Sequence, residues 1–287
     1  VLPDGVSALV AERTTGRVLR VEQGTDPELV ATVPVDPTGD GGLTGLVLSP
    51  TYAEDRLLYA YTTTAQDNRV MLIAGGEAPK PVLTGIPRGA VHNGGALGVD
   101  VDGSLLVATG DAGGGADPAS LAGKLLRIDT RGRPAPGNPD PASPVLSSGL
   151  VAPGGICVDP VTTSAWVTDR ATAQDVLHRV VPGALGPPAW TWPERPGVGG
   201  CVAQPDAVTV TLSGGAALFL LRVDESGAFT DTDTLLHDEY GQLAAATLAP
   251  DGLVWVGTVN KVGGAPVPTD DRVIRLPPFA SGGQSRA

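Results

Sequence analysis

The stretch GALGVDVDGSLLVATGD, residues 95–111, decides the fold, because two apolar runs flank an Asp-Gly pair at its centre. Asp and Gly tolerate the positive φ angles of a tight hairpin turn, so the stretch predicts two antiparallel strands. Residues 243–259, LAAATLAPDGLVWVGTV, repeat the arrangement with Asp251 and Gly252 at the turn. β-Branched and aliphatic residues dominate both runs, which is typical of strands buried on both faces.

This pattern recurs along the chain at a spacing that predicts a propeller. Related segments begin near residues 7, 45, 95, 154, 201 and 243, so consecutive starts are 38 to 59 residues apart. Propeller blades repeat at about 40–50 residues, and insertions lengthen the loops between their strands. We therefore predict an all-β, six-bladed β-propeller of four-stranded antiparallel blades. A pair of β-sandwiches is the alternative, but it explains the strands and not their repetition.

Glycine and proline are too frequent for long helices. The chain has 40 Gly and 27 Pro among 287 residues, and either residue interrupts a helix. Apolar residues make up 41% of the chain, which is enough for a packed core. We predict one domain over residues 1–287, with approximate blades at 1–38, 39–88, 89–148, 149–198, 199–240 and 241–280, and a flexible C-terminal tail at 281–287.

Charge and hydropathy exclude two classes of partner. The net charge is −12 at pH 7, and a nucleic-acid-binding surface needs clustered Lys and Arg. No apolar run approaches the roughly 20 residues of a membrane-spanning helix. Residues 1–5 resemble the end of a strand-and-turn unit, so we expect an export signal, and with it a lipid anchor, upstream of residue 1. We expect an exported monomer of the cell envelope or the extracellular space.

The sequence leaves two possible states for the two cysteines. Cys157 and Cys201 cannot by themselves form a tetrahedral zinc site, and we expect no metal site. They form either a disulfide, as in an exported protein, or two buried thiols. We favour the disulfide, because both residues lie in glycine-flanked, strand-like segments.

Several stretches carry a resemblance to one family. They are GDGGLTGLVLSPTYAEDRLLYAYTT at 39–63, HNGGALGVDVDGSLLVATGDAG at 92–113, GKLLRID at 123–129, GNPDP at 137–141, PGGICVDP at 153–160 and WTWP at 190–193. In this order the chain resembles the soluble quinoprotein glucose/sorbosone dehydrogenases, which are six-bladed propellers that use pyrroloquinoline quinone (PQQ). Within the family it looks most like the shorter bacterial members, including actinobacterial cell-envelope lipoproteins.

The resemblance implies roles for His92 and Asp111. The family's histidine takes a proton from the anomeric hydroxyl of the sugar, and the ordinary pKa of histidine suits a general base. The family's aspartate lies beside that histidine and orients it. The alternative is that His92 and Asp111 are structural and only cap a glycine-rich loop.

The family's cofactor clamp is missing at several matching positions. Val151 and Ala152 stand where the family has Arg-Asn, and Gln242 and Ala244 stand where it has Arg-x-Arg. Asp40 replaces a longer Gln or Glu and remains a weak candidate for cofactor binding. Each charge-assisted hydrogen bond contributes about 1.5–3 kcal/mol, so losing three or four removes about 5–10 kcal/mol. We therefore expect no productive binding of PQQ.

The remaining candidates each have a plain structural alternative. Trp190 and Trp192 either stack on a sugar or pack inside a blade. Arg88, Arg170 and Arg195 either replace the lost cations or are ordinary surface arginines. The family's calcium motif is incomplete, since only Thr-Asp-Arg at 168–170 and Gln-Asp at 174–175 match it.

Three functions remain open. The first is an exported or envelope-anchored propeller that binds a small carbohydrate, another envelope ligand or a partner without PQQ. The alternative is an active PQQ- and calcium-dependent aldose dehydrogenase with His92 as the base, an oxidoreductase acting on sugar CH–OH groups. The third is a calcium-dependent lactonase-like propeller, against which the absence of a convergent Glu/Asn/Asp cluster counts.

Overall fold

The computed structural model describes residues 1–115, 117–261 and 270–277, and these residues are almost entirely β-structure. The exceptions are a 3-10 turn at Thr38–Asp40 and a single-turn helix at Tyr52–Asp55. No helix in the described part of the chain is long and apolar enough to span a membrane. The predicted tail at 281–287 lies outside the described residues.

The strands form six sheets. The first three sheets contain β1 Ser7–Ala11, β2 Arg17–Glu22, β3 Glu28–Thr32; β4 Leu43–Leu48, β5 Leu58–Thr63, β6 Asn68–Ile73, β7 Lys80–Ile86; and β8 Gly95–Val99, β9 Leu105–Thr109, β10 Lys124–Ile128, β11 Val145–Ser148. The last three contain β12 Pro153–Val158, β13 Ala165–Arg170, β14 Asp175–Arg179, β16 Trp190–Trp192; β17 Val198–Gln204, β18 Ala207–Leu212, β19 Ala217–Val223, β20 Phe229–Leu235; and β21 Leu243–Leu248, β22 Val254–Thr258, β23 Val273–Leu276. The short β15, Gly183–Ala184, pairs with β11.

The prediction of an all-β, six-bladed propeller of four-stranded antiparallel blades is confirmed, with departures from four strands in three sheets of the described residues. The third sheet has a fifth strand, because the segment after β14 returns and β15 pairs parallel to β11. Among the described residues, the first and last sheets have three strands each.

The turn before β1 matches the turn that precedes the second strand of another sheet. The Asp4 carboxylate accepts hydrogen bonds from the N–H groups of Val6 (3.0 Å) and Ser7 (2.9 Å) at the start of β1. Asp102 accepts the N–H of Ser104 (3.0 Å) in the same way, in the turn between the first and second strands of the third sheet. β1 therefore corresponds to the second strand of the other sheets.

The first strands of the other five sheets line the axis. β4 packs against β8, β8 against β12, β12 against β17 and β17 against β21, while β1 contacts β4. A core cluster of Ala8, Ala249 and Trp255 joins the first sheet to the last and closes the ring. Because these inner strands repeat one orientation around the axis, the loops preceding them gather on one face.

Glycine allows the inner strands to approach each other closely. A Cβ atom added to Gly155 would lie 2.7 Å from the Cα atom of Gly200 in the neighbouring sheet. A Cβ added to Gly200 would lie 2.5 Å from the backbone nitrogen of Ala246. Part of the glycine excess is therefore required by packing between sheets.

The two cysteines form the disulfide that we favoured. Cys157 in β12 and Cys201 in β17 are joined, with Cα atoms 5.5 Å apart and a sequence separation of 44 residues. Both are buried in a core cluster that also contains Trp166 and Trp192. The bond therefore ties the fourth blade to the fifth.

Removing the disulfide should destabilise the fold markedly. A crosslink that closes a loop of 44 residues restricts the unfolded chain by about 4 kcal/mol on the loop-entropy model. We expect the double variant Cys157→Ala/Cys201→Ala to lose about 2–5 kcal/mol in urea unfolding. Dithiothreitol should destabilise the wild type and leave the variant unchanged; equal stability of the oxidised and reduced wild type would contradict this expectation.

Candidate functional site

His92 and Asp111 form a hydrogen-bonded pair on the face where the inner strands begin. His92 lies shortly before β8, and Asp111 follows β9. Nδ1 of His92 is 2.7 Å from Oδ1 of Asp111, and the two side chains are 34% and 14% exposed. With its proton on Nδ1, the imidazole donates to the carboxylate and keeps Nε2 as an acceptor. The pair can therefore accept a proton or a hydroxyl hydrogen bond at Nε2.

Asp40 supports the pair through the backbone. Its Oδ2 accepts the N–H of His92 at 2.9 Å, and its Oδ1 accepts the N–H of Asn93 at 2.7 Å. Asp40 and His92 both adopt left-handed conformations, with φ of 63° and 57°. Two amides thus hold the carboxylate that the sequence marked as a weak candidate for cofactor binding, so its role in this structure is to fix the loop of His92.

Asn93 is a buried site residue that our sequence reading did not single out. Its Nδ2 donates to the carbonyl oxygens of Gly39 (2.7 Å) and Gly89 (2.9 Å), and its Oδ1 accepts the N–H of Gly89 (2.8 Å). One amide side chain therefore ties together the two loops that carry Asp40 and His92. Its place directly after His92 in the HNGG motif was the available signal.

Two glycines let the site loops pack backbone to backbone. A Cβ atom on Gly110 would lie 2.0 Å from the carbonyl oxygen of His92. A Cβ on Gly89 would lie 1.8 Å from the carbonyl oxygen of Ala112. The position of His92 relative to Asp111 therefore depends on glycine at 89 and 110.

The four positions that the resemblance matches to the family's cofactor clamp lie at the starts of inner strands. Val151 and Ala152 immediately precede β12, Gln242 precedes β21, and Ala244 lies within β21. All four are half-buried. The N–H of Gln242 donates to Oδ1 of Asn260 at 2.6 Å. None of the four carries a charge that could face an anionic cofactor.

Asp169 is a third carboxylate on this face. It is 0% exposed, and its two oxygens accept the N–H groups of Val151 (2.9 Å) and Ala152 (2.6 Å). Burial raises the pKa of Asp169 to about 6, and the charge of Asp111 adds to the increase. The two backbone hydrogen bonds and the charge of Arg170 oppose it.

Among the described residues, none of the three arginines that could replace the family's cations hydrogen-bonds to His92 or Asp111, although the charge of Arg170 acts on Asp169. Nη1 of Arg88 donates to Oδ2 of Asp36 at 2.6 Å and to the carbonyl oxygen of Thr64 at 2.8 Å. Arg170 and Arg195 are exposed. Within residues 1–115, 117–261 and 270–277, no group of three or more His, Cys, Asp or Glu side chains could hold a metal ion.

Trp190 and Trp192 pack in the core of the fourth and fifth blades. The Trp192 ring lies 5.4 Å from the ring of Phe219, and its side chain is 2% exposed. The half-buried Trp190 contacts the rings of Phe219 (5.9 Å) and Phe229 (6.2 Å). This packing accounts for both indoles without a ligand, and Trp192 has no open face for stacking on a sugar.

Comparisons with known proteins agree on one family. The family model for glucose/sorbosone dehydrogenase matches residues 1–195. A PQQ-bound aldose sugar dehydrogenase from Streptomyces coelicolor is 33% identical, with a TM-score of 0.87 over 96% of this chain and 91% of that one. An oxidoreductase described as a glucose dehydrogenase from Thermus thermophilus is 31% identical, with a TM-score of 0.87 over 96% and 94% of the two chains.

The match to a curated relative spans a smaller part of this chain. An uncharacterised protein from Synechocystis is 32% identical over 209 residues. The match spans 60% of this chain and 50% of that protein, so the chain matches half the length of this relative.

Glycine at 110 should be indispensable, in contrast to glycine at 94. Gly110→Ala drives a methyl group into the carbonyl oxygen of His92, so we expect a loss of about 2 kcal/mol or more in urea unfolding. Gly94→Ala meets no atom within 4 Å and is the matched control; we expect a change within about 0.5 kcal/mol. Equal stabilities of the two variants would contradict the packing described.

Asp169 should make stability fall as the pH rises. Its pKa is raised from 3.8 in the unfolded chain to about 6 in the folded protein. The folded protein therefore holds the carboxyl proton more tightly, and the stability that this proton contributes is lost as the pH rises from about 4 to about 6. We expect the unfolding free energy of the wild type, relative to Asp169→Asn, to fall by about 3 kcal/mol from pH 3 to pH 7. Urea unfolding of both proteins across this range measures the difference.

Asp36 provides a control of opposite sign. Hydrogen bonds from Thr38, together with Arg88, lower the pKa of Asp36 to about 2. The wild type should therefore lose stability relative to Asp36→Asn as the pH falls below about 4, with little change above about pH 5. A pH-independent difference between wild type and Asp169→Asn would exclude the raised pKa.

Proposed function

The chain belongs to the glucose/sorbosone dehydrogenase family, and from this premise we propose that it binds a neutral carbohydrate at His92 without productive binding of PQQ. The observation that carries the proposal is the charge of the site. The His92–Asp111 pair is present at 2.7 Å, and the carboxylates of Asp40 and Asp169 lie on the same face. The nearby arginines do not contact the pair: Nη1 of Arg88 donates to Asp36, and the side chain of Arg170 is exposed.

The residues present do not fit PQQ. PQQ is a tricarboxylate, and its binding needs several cations or oriented donors, ideally bidentate arginines. The described residues place Asp40, Asp111 and Asp169 around the histidine loop instead. The backbone amides of Val151 and Ala152, which could have faced an anion, already donate to Asp169. The negative charge of the carboxylates disfavours PQQ binding. The two backbone amides cannot assist it, because they already donate to Asp169.

A neutral polyol fits the same residues better. The Nε2 atom of His92 can accept a sugar hydroxyl, since Nδ1 donates to Asp111. The half-buried Val151 and Ala152 offer apolar surface for the C–H face of a sugar ring, and Gln242 adds an amide. An anionic ligand would lose its hydration here without gaining a cationic partner. A neutral ligand avoids that desolvation penalty.

We also propose that the protein acts outside the reducing cytosol, exported or anchored to the cell envelope. The Cys157–Cys201 disulfide supports this location, because disulfides persist mainly in oxidising compartments.

A second candidate function is PQQ-dependent oxidation of an aldose. Two observations favour it: the hydrogen-bonded His92–Asp111 pair, and the 33% identity to a PQQ-bound aldose sugar dehydrogenase. In such an enzyme His92 would accept the proton of the sugar hydroxyl at Nε2 while Asp111 stabilised the imidazolium. The cation-poor surroundings of the pair count against this candidate.

Two titrations separate the candidates. We expect isothermal titration with a panel of aldoses to show binding that His92→Gln abolishes and His237→Gln preserves; His237 is an exposed histidine and serves as the control. We expect PQQ with calcium to show no stoichiometric binding at high micromolar concentration and no aldose-dependent dye reduction. Turnover with PQQ that His92→Gln removes would overturn the proposal in favour of the second candidate.

A further inference from the structure

We propose that Asp169 is a positioning residue for the His92–Asp111 pair and acts through the backbone of residues 151 and 152. The inference rests on the proposed function in one respect, namely that this pair is the centre of the binding site. Asp169 lies in the second strand of the fourth sheet, whereas His92 and Asp111 belong to the loops of the third. The proposed role therefore links two blades.

The first link is the carboxylate of Asp169. Oδ2 accepts the N–H of Val151 at 2.9 Å and Oδ1 accepts the N–H of Ala152 at 2.6 Å, so both oxygens hold one short segment. The N–H of Arg170 also donates to the carbonyl oxygen of Ala152 at 3.1 Å. Hydrogen bonds to a charged acceptor are roughly twice as strong as neutral ones. The segment is therefore held firmly against β13.

The second link continues from that segment to the histidine. The carbonyl oxygen of Val151 accepts the N–H of Asp111 at 2.9 Å. Oδ1 of Asp111 in turn faces Nδ1 of His92 at 2.7 Å and accepts the N–H of Gly113 at 2.8 Å. A continuous path of three hydrogen bonds thus runs from Asp169 through Val151 and Asp111 to His92.

The residues just before the segment 151–152 are held by contacts of their own. The N–H groups of Gly149 and Leu150 both donate to the carbonyl oxygen of Gly123, at 3.0 and 3.2 Å. Leu150 is buried in the core between the third and fourth sheets. Gly123 has φ of +66°, and a Cβ there would lie 2.9 Å from the carbonyl oxygen of Leu150. Residues 149 and 150 are therefore held independently of Asp169, and a change at Asp169 acts on residues 151 and 152 and on the hydrogen bond between Val151 and Asp111.

Asp175 shows what a purely structural carboxylate does in the same sheet. It is 1% exposed, and its Oδ2 accepts the N–H groups of Gly197 (2.6 Å) and Val198 (3.1 Å) at the start of β17. Asp175 thus caps the next inner strand as Asp169 caps β12. Its hydrogen bonds lead into the fifth sheet, away from His92, so Asp175→Asn is a matched control.

Proton NMR of the unliganded protein tests the role directly. The Nδ1 proton of a histidine bonded to a carboxylate gives a far-downfield signal, and loss of that signal in His92→Gln assigns it. We expect Asp169→Asn to accelerate its solvent exchange by at least about tenfold, or to abolish the signal, because a charge-assisted hydrogen bond is lost. Asp175→Asn should leave the rate within about twofold, although it also removes a buried carboxylate. Asp169→Glu, which keeps the carboxylate, should restore most of the slow exchange.

An unchanged His92 signal in Asp169→Asn, or equal effects of Asp169→Asn and Asp175→Asn, would overturn the proposal. Amide hydrogen exchange of the wild type decides the question even where the variants do not fold. The N–H groups of Asp111, Val151 and Ala152 should exchange as one unit with similar protection. Independent exchange of Asp111 would contradict the link. Neither measurement uses a ligand, so failure of carbohydrate binding would leave this result intact.

Discussion

Close contact between the backbones of neighbouring loops is the constraint on which the site depends. At Gly110 the chain passes so near the carbonyl oxygen of His92 that no Cβ fits, and the same holds at Gly89 beside Ala112. These contacts bring the two loops close enough for Nδ1 of His92 to hydrogen-bond to Oδ1 of Asp111 at 2.7 Å. The inner strands obey the same constraint at Gly155 and Gly200. Packing and function therefore require glycine for the same physical reason.

The electrostatics of the site follow from how its carboxylates are satisfied. Asp40 and Asp169 each accept hydrogen bonds from two backbone amides, and Asp111 accepts from one amide and from His92. Backbone dipoles stabilise these anions without cancelling their charge, whereas a clamp for an anionic cofactor would add arginine or lysine. The site has the hydrogen-bonded pair of a histidine base, and its carboxylates are the basis of our proposal that it binds a neutral ligand.

Much of the fold could be predicted from the sequence, because most blades repeat an apolar strand, a turn and a second apolar strand. The turn before β1 was visible in the sequence, because residues 1–5 resemble the end of a strand-and-turn unit, and the hydrogen bonds of Asp4 match those of Asp102. The parallel pairing of β15 had no sequence signal, since Gly183 and Ala184 carry no pattern of their own. Tertiary packing, which a linear pattern does not encode, decided this pairing.

The sequence allowed us to predict the contact between the side chains of His92 and Asp111. It did not allow us to predict which carboxylates bind backbone amides. The HNGG and GDAG motifs marked His92 and Asp111, which the structure brings into contact. Asp40 and Asp169 hold amides distant in sequence, at 92–93 and 151–152, and residue type alone does not reveal such partners. We propose that this pair persists in a protein that does not bind PQQ productively. Thermal unfolding of the protein with and without excess PQQ and calcium tests it most directly. We predict an unchanged midpoint; a rise of about 5 °C, as expected for saturation well above Kd, would contradict the account.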